Sequence, residues 1–130
     1  MKKKQIYITQ HDMERLRALM EVYAENTDLL EEMLDRARIV LPKDIPHNVV
    51  TMNSTVHVKD IDTGEERTFT LVFPGSKAGN DAVSILAPAG TALIGSREKD
   101  IVERQVPAGK KRMQIIEIVY QPEREGKYDI

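Results

Sequence analysis

A chain of 130 residues with 41% hydrophobic content can bury one ordinary core and leaves no room for a second large domain. Its 19 Lys and Arg against 21 Asp and Glu give a formal net charge of −2, which excludes an affinity built mainly on coating nucleic acid phosphates. Zero cysteines exclude disulfides, thiolate metal sites and a cysteine nucleophile.

The start, Met1-Lys2-Lys3-Lys4, is basic, but Gln5, Thr9, Gln10, His11 and Asp12 interrupt the apolar run that a signal peptide requires. No window reaches the roughly 18 to 20 apolar residues of a membrane helix, so a cytoplasmic protein without a membrane partner is expected. From about Thr9 to Leu41 apolar residues recur at helical spacing: Met13, Leu16, Leu19, Met20 and Tyr23, then Leu29, Leu30, Met33, Leu34, Ala37 and Leu41. This predicts two amphipathic helices separated around Glu25-Asn26-Thr27, with Asp28 capping the second and Glu31 completing the cap. The two would form an antiparallel hairpin with arms of about 14 residues, roughly 20 Å long. Such a hairpin can bury its apolar stripe against itself, so a monomer is expected.

Pro42 and Pro46 stop the helical pattern and divide the chain into an arm with its linker, residues 1–45, and a second domain, residues 46–130. The period then changes to two. Thr55 to Lys59 and Thr68 to Phe73 predict a strand hairpin around Asp62-Thr63-Gly64, followed by a short strand at Val83 to Leu86. Gly90 to Gly95 predicts one or two helical turns, and strands at Ile101 to Val106 and Arg112 to Tyr120 follow, joined by Pro107-Ala108-Gly109. Helices followed by gathered strands predict an α+β fold with a mainly antiparallel sheet and one small helix. Glu123 to Ile130 is expected to fray.

No catalytic set emerges. Ser54, Ser76, Ser84 and Ser96 lack a nucleophile elbow, and there is neither a phosphate-binding glycine loop nor a dinucleotide fingerprint. His11, His47 and His57 are too scattered for a metal set, so no metal and no cofactor are expected. The sharpest local signal is acidic: Glu21, Glu25, Asp28, Glu31, Glu32 and Asp35 fall between residues 21 and 35 without a Lys or Arg among them. The cluster reads as a solvated helix face whose acids complement the first turn, or alternatively as a tip pair, Glu25 and Asp28, able to hold magnesium. Lys110-Lys111-Arg112 reads as a solvated hairpin end or as a contact for phosphate or an acidic surface. With two Phe, four Tyr and no Trp, base stacking is poorly served and strong direct nucleic acid binding is not expected.

Three ordered strings carry a resemblance: the turn Asp62-Thr63-Gly64-Glu65-Glu66, residues 84–102 (SILAPAGTALIGSREKDIV) and residues 106–120 (VPAGKKRMQIIEIVY). With them the segment from Asn53 to Tyr120 resembles the C-terminal domain of the bacterial Gre transcript-cleavage factors, which implies an FK506-binding-protein-like (FKBP-like) fold. Residues 34–54 (LDRARIVLPKDIPHNVVTMNS) and 120–128 (YQPEREGKY) extend the resemblance to the Rnk family of regulators of nucleoside diphosphate kinase, in the same Gre group.

The resemblance implies a non-enzymatic regulator of transcription elongation that docks on bacterial RNA polymerase at the entrance of the secondary channel. Pro88, Ala89 and Gly90 are the docking residues it implies, with Ala87 and Thr91 standing where Gre factors usually carry serine and arginine. It also assigns the tip role to Glu25 and Asp28, although the Gre tip signature around them is absent. An arm of roughly 20 Å would stop short of the polymerase's catalytic magnesium. Competition with Gre factors without strong cleavage is therefore expected, and any effect on nucleoside diphosphate kinase would be indirect. The fold alone offers an alternative, a peptidyl-prolyl isomerase or a general protein-interaction module, but the second half is poor in the aromatics that line a proline pocket.

Overall fold

The computed structural model describes the chain apart from residues 1–4, 24–26, 77, 78, 80 and 129, and apart from the side chains of 105 and 106. In chain order it runs β1 (Tyr7–Thr9), α1 (Gln10–Val22), α2 (Asp28–Asp35), β2 (Arg38–Val40), β3 (Thr55–Asp60), β4 (Glu66–Val72), β5 (Ala82–Ser84), α3 (Pro88–Leu93), β6 (Ile101–Val106) and β7 (Gly109–Tyr120). The α+β class and the period change after the proline pair are both present.

The main sheet has the order β5-β4-β3-β7-β6 and is antiparallel except for the β4–β5 pair. Period-two alternation sends Val56, Val58, Phe69, Leu71, Met113 and Ile115 to one face, where they meet Met13, Leu16, Leu30 and Leu34 from α1 and α2 and Leu93 from α3 in one buried cluster. The helical stripes thus bury themselves on the sheet's core. The hydrophobic effect rewards this because a two-helix arm this short has little area to offer itself.

The second arm is shorter than its apolar spacing predicts. Helix α2 ends at Asp35, and Arg38–Val40 lies parallel to Tyr7–Thr9, so Ala37 and Leu41 are not helical. Backbone pairing explains the change: Arg38 N–H donates to the Ile6 carbonyl at 2.9 Å, and β-branched Ile39 and Val40 favour the extended form. At the other end of α2, Asp28 is the first helical residue rather than the cap, and Thr27 before it makes no side-chain cap hydrogen bond. The side-chain cap lies instead on α1, where Thr9 Oγ1 accepts from Asp12 N–H at 3.0 Å.

The segment following Pro46 is enclosed although it forms no strand or helix of the main elements. Val49, Val50, Thr51, Met52 and Ser54 are all buried. Val50 exchanges backbone hydrogen bonds with the turn after α3, donating to Ser96 O at 2.8 Å and accepting from Gly95 N–H at 2.9 Å. Asn53 adopts φ 66°, a left-handed conformation that asparagine tolerates better than most residues.

Gly95 sits at φ +79°, and a Cβ there would lie 2.9 Å from Ile6 Cβ and 3.1 Å from Tyr7 O. Gly95→Ala is expected to cost about 2–3 kcal/mol, combining left-handed strain with a clash against β1. Urea unfolding of the purified variant checks this, and a loss below about 0.5 kcal/mol would contradict the close approach of β1 to that turn.

The expected fraying does not begin at Glu123. Glu123–Glu125 forms a 3-10 turn, and Glu123 is buried. Gln121 Nε2 donates to Pro46 O at 2.9 Å and Val49 O at 2.8 Å, while Arg124 donates to the carbonyls of His47 and Ile118. Two of the resembling strings, 34–54 and 120–128, are therefore bound to each other through residues 46–49.

Candidate functional site

The turn into α3 carries the expected docking residues. Ala87 is extended at φ −72°, ψ 145°, and Pro88 takes the first helical turn, where its missing N–H costs nothing. Thr91 fastens the turn from beneath: its hydroxyl donates to Ile85 O and its N–H to Ala87 O. Pro88 is exposed, Ala89 is half-buried against the core, and Gly90 is buried. Of the three, Pro88 and part of Ala89 are open to solvent, whereas Gly90 faces inward, where a Cβ would run into the Ser84 carbonyl oxygen.

Helix α2 packs against α3, which places the acidic arm beside this turn. Asp28, Glu31, Glu32 and Asp35 are exposed and, with Arg36, line a shallow groove of about 500 Å³. Asp35 Oδ1 is 2.9 Å from Arg17 Nη2 of α1, an exposed pair of small energetic weight that ties the two helices laterally. Asp28 stands at the start of α2, while Glu25, the other expected tip residue, lies outside the described residues. Among the described residues no three acids or histidines converge in a way that could hold a metal ion.

A buried polar network lies where α1, the segment after Pro46 and the C-terminal turn meet. Asp12, only 1% exposed, accepts from Met52 N–H at 3.1 Å and from the Arg15 guanidinium, which also covers the Phe73 ring at 4.6 Å. Thr51 Oγ1 donates to Glu123 Oε1 at 2.7 Å and shares a hydrogen bond with Ser54 Oγ at 2.8 Å, while Thr51 N–H donates to Ser54 Oγ. Burial pushes the Asp12 carboxyl above its ordinary range against the opposing pull of Met52 N–H and Arg15. Burial also raises Glu123, and the nearby Asp12 charge adds to it against the Thr51 hydrogen bond.

Sequence reasoning passed over this network because its members are one or two polar residues per segment, far apart in the chain. One signal was available. Thr9-x-x-Asp12 before an apolar run is the spacing of a capping box, which marks Asp12 as the third residue of a helix. Nothing local marks Thr51 or Glu123.

The basic run at the β6–β7 hairpin is neutralised by neighbours. Lys110 Nζ lies 3.9 Å from Glu103, Lys111 Nζ 3.7 Å from Asp60, and Arg112 Nη2 2.9 Å from Asp62. His57 shares hydrogen bonds with Thr68 Oγ1 at 2.8 Å and Glu66 Oε1 at 2.7 Å on the opposite face of the sheet from Val56 and Val58, and this contact holds the Glu66 carboxyl below its usual range. No described helix is long and apolar enough to cross a membrane.

Comparison with known proteins accounts for both parts of the chain. Residues 45–120 match the family model for the C-terminal part of the transcription elongation factors GreA/GreB, and residues 4–40 match that for the Rnk N-terminus. A regulator of nucleoside diphosphate kinase from Escherichia coli strain K12 is 40% identical over 129 residues, which cover 95% of each chain. Transcription elongation factor GreA from Nautilia profundicola is 38% identical over 93 residues, covering 71% of this chain and 57% of that factor. Among solved structures, a GreA/GreB transcription elongation factor from Nitrosomonas europaea superposes with a TM-score of 0.74 at 41% identity, covering 91% of this chain and all of that one. A matched front arm, a matched sheet domain and a full-length likeness in one continuous chain establish that it belongs to the Rnk family of regulators, built on the C-terminal domain of the GreA/GreB elongation factors.

Proposed function

We propose that the chain regulates transcription elongation by docking on bacterial RNA polymerase at the secondary-channel entrance, where it displaces Gre factors without strongly stimulating transcript cleavage. The observation that carries this reading is the union of a Gre-type C-terminal domain with an arm whose second helix, α2, has only 8 residues. At 1.5 Å per residue α2 extends about 12 Å and α1 about 20 Å. Proximity decides whether an acidic tip assists catalysis, so Asp28 held that far back contributes little whatever its charge.

In this reading residues 1–45 are the arm, with short coiled-coil character, and residues 46–130 are an FKBP-like docking domain that acts as a monomer and needs no cofactor. Pro88 and Ala89 supply contact, and Gly90 supplies the close packing that presents them. Any change in nucleoside diphosphate kinase levels follows indirectly, through transcription.

The test is a titration of fluorescently labelled protein onto core polymerase with GreA as competitor, with cleavage of a backtracked transcript read in the same samples. Competitive binding together with suppressed cleavage is the expected result. Pro88→Asp, which changes an exposed side chain, is expected to weaken binding roughly tenfold while leaving the unfolding midpoint within about 0.5 kcal/mol of the parent. Robust cleavage driven by this protein alone, or no binding at micromolar concentration, would remove the proposal.

A further inference from the structure

The core face of the main sheet does not end in apolar side chains. Arg67 lies opposite Val58 across β4 and β3, Asp60 opposite Met113 across β3 and β7, and Arg104 opposite Lys111 across β6 and β7. Directly paired residues share a face, as do residues two apart on one strand. The surface that carries Val58 and Met113 into the core therefore finishes in Arg67, Arg104 and Lys111. These side chains surround a pocket of about 160 Å³ with Val58 and Met113 as its floor and Asp60 and Glu65 at its edge.

The pocket's polar lining is incompletely matched. Arg104 Nε is enclosed and has no hydrogen-bond partner among the described residues. Lys111 meets Asp60 only loosely, at 3.7 Å. The guanidinium of Arg67 lies 5.7 Å from the Phe69 ring centroid, so its position is constrained by stacking. Hydrogen bonds from Thr63 N–H and Asp62 N–H keep the Asp60 carboxylate ionised. Three cations against two carboxylates leave one positive charge in excess.

We propose that this pocket binds one carboxylate on a short aliphatic stem, with Arg67 and Arg104 gripping the carboxylate and Val58 and Met113 receiving the stem. The charge selects the ligand class. A single carboxylate balances the lining, a phosphate dianion overshoots it beside Asp60 and Glu65, and a neutral apolar group leaves the excess positive charge uncompensated. The volume is below the roughly 300–1,000 Å³ of sites for drug-sized ligands, so the occupant is a small free acid or a single glutamate side chain of a protein.

The test uses the full chain carrying ¹³C-methyl methionine, with the Met113 resonance identified through Met113→Leu. Butyrate is titrated at constant ionic strength, with butanol and inorganic phosphate as parallel probes. A saturable shift of the Met113 methyl with butyrate alone is the expected result, and Arg104→Gln weakens it about tenfold at an unchanged unfolding midpoint. If Arg104→Gln lowers the midpoint, Arg67→Gln takes its place. Acetyl-glutamate amide distinguishes the sources: competition with butyrate assigns a protein side chain, and its failure beside bound butyrate assigns a free acid. No saturable butyrate shift, an equal response to butanol, or undiminished affinity in both arginine variants overturns the proposal.

Discussion

Replacing Gly90 by alanine is expected to destabilise the fold by about 3 kcal/mol, read as a lowered urea midpoint with an unchanged denaturant slope. Two effects oppose each other at this position. Alanine is the better helix former by about 1 kcal/mol, and Gly90 does not adopt the left-handed conformation, so there is no such strain to add. Against that, the new Cβ would run into the Ser84 carbonyl oxygen and lie 2.9 Å from Leu71 Cδ1. A backbone oxygen at the end of β5 cannot swing aside as a side chain can. Helix α3 must lift, taking with it Leu93, which is fully buried. The packing term therefore wins, and a stabilised Gly90→Ala would mean that α3 does not lie against β5 as described. Because Pro88 is exposed two residues earlier, the pair Gly90→Ala and Pro88→Asp separates loss of fold from loss of contact.

Asp12→Ala is expected to cost about 2–3 kcal/mol at neutral pH. The substitution leaves the Met52 N–H buried without its acceptor and removes the carboxylate partner of Arg15. Asp12→Asn keeps an acceptor for Met52 and so should lose less. Its larger effect is on pH dependence. Burial raises both Asp12 and Glu123, so between the ordinary carboxylate range and their folded values the native chain holds protons that the unfolded chain has released. Stability from these groups therefore falls as pH rises from about 4 through those folded values. Asp60 and Glu66, whose carboxyls are lowered, act in the opposite sense and lose their contribution as pH falls. Urea unfolding at a series of pH values should show the double variant Asp12→Asn, Glu123→Gln gaining on the parent as pH rises. A constant difference across that range would mean that neither carboxyl titrates abnormally.

The strands were legible because alternation fixes a face: Val56 and Val58, Phe69 and Leu71, and Met113 and Ile115 all point inward as the period of two requires. The small helix was legible between Gly90 and Gly95, though it begins two residues earlier, at Pro88. The second arm was misjudged because Ala37 and Leu41 continue a helical spacing that cannot reveal a partner strand some thirty residues earlier at Tyr7–Thr9. The three proposed docking residues read as one string, but only coordinates separate exposed Pro88 from buried Gly90. The pocket around Arg104 was hidden for a similar reason, since its cations come from three strands and each reads locally as an ordinary surface charge.

The clasp of Gln121, Glu123 and Arg124 on residues 46–51 also sets the order of events during synthesis. The segment that anchors the arm to the sheet is made 72 to 77 residues ahead of its hydrogen-bonding partners. Loop closure over that span cannot be completed before residue 121 has emerged. The β3–β4 hairpin can pair at once, but residues 46–51 stay without this clasp until Gln121, Glu123 and Arg124 have emerged. A nascent chain in which β7 has emerged but Gln121 to Arg124 have not should accordingly be cut by protease around residues 46–51 more readily than one in which they have.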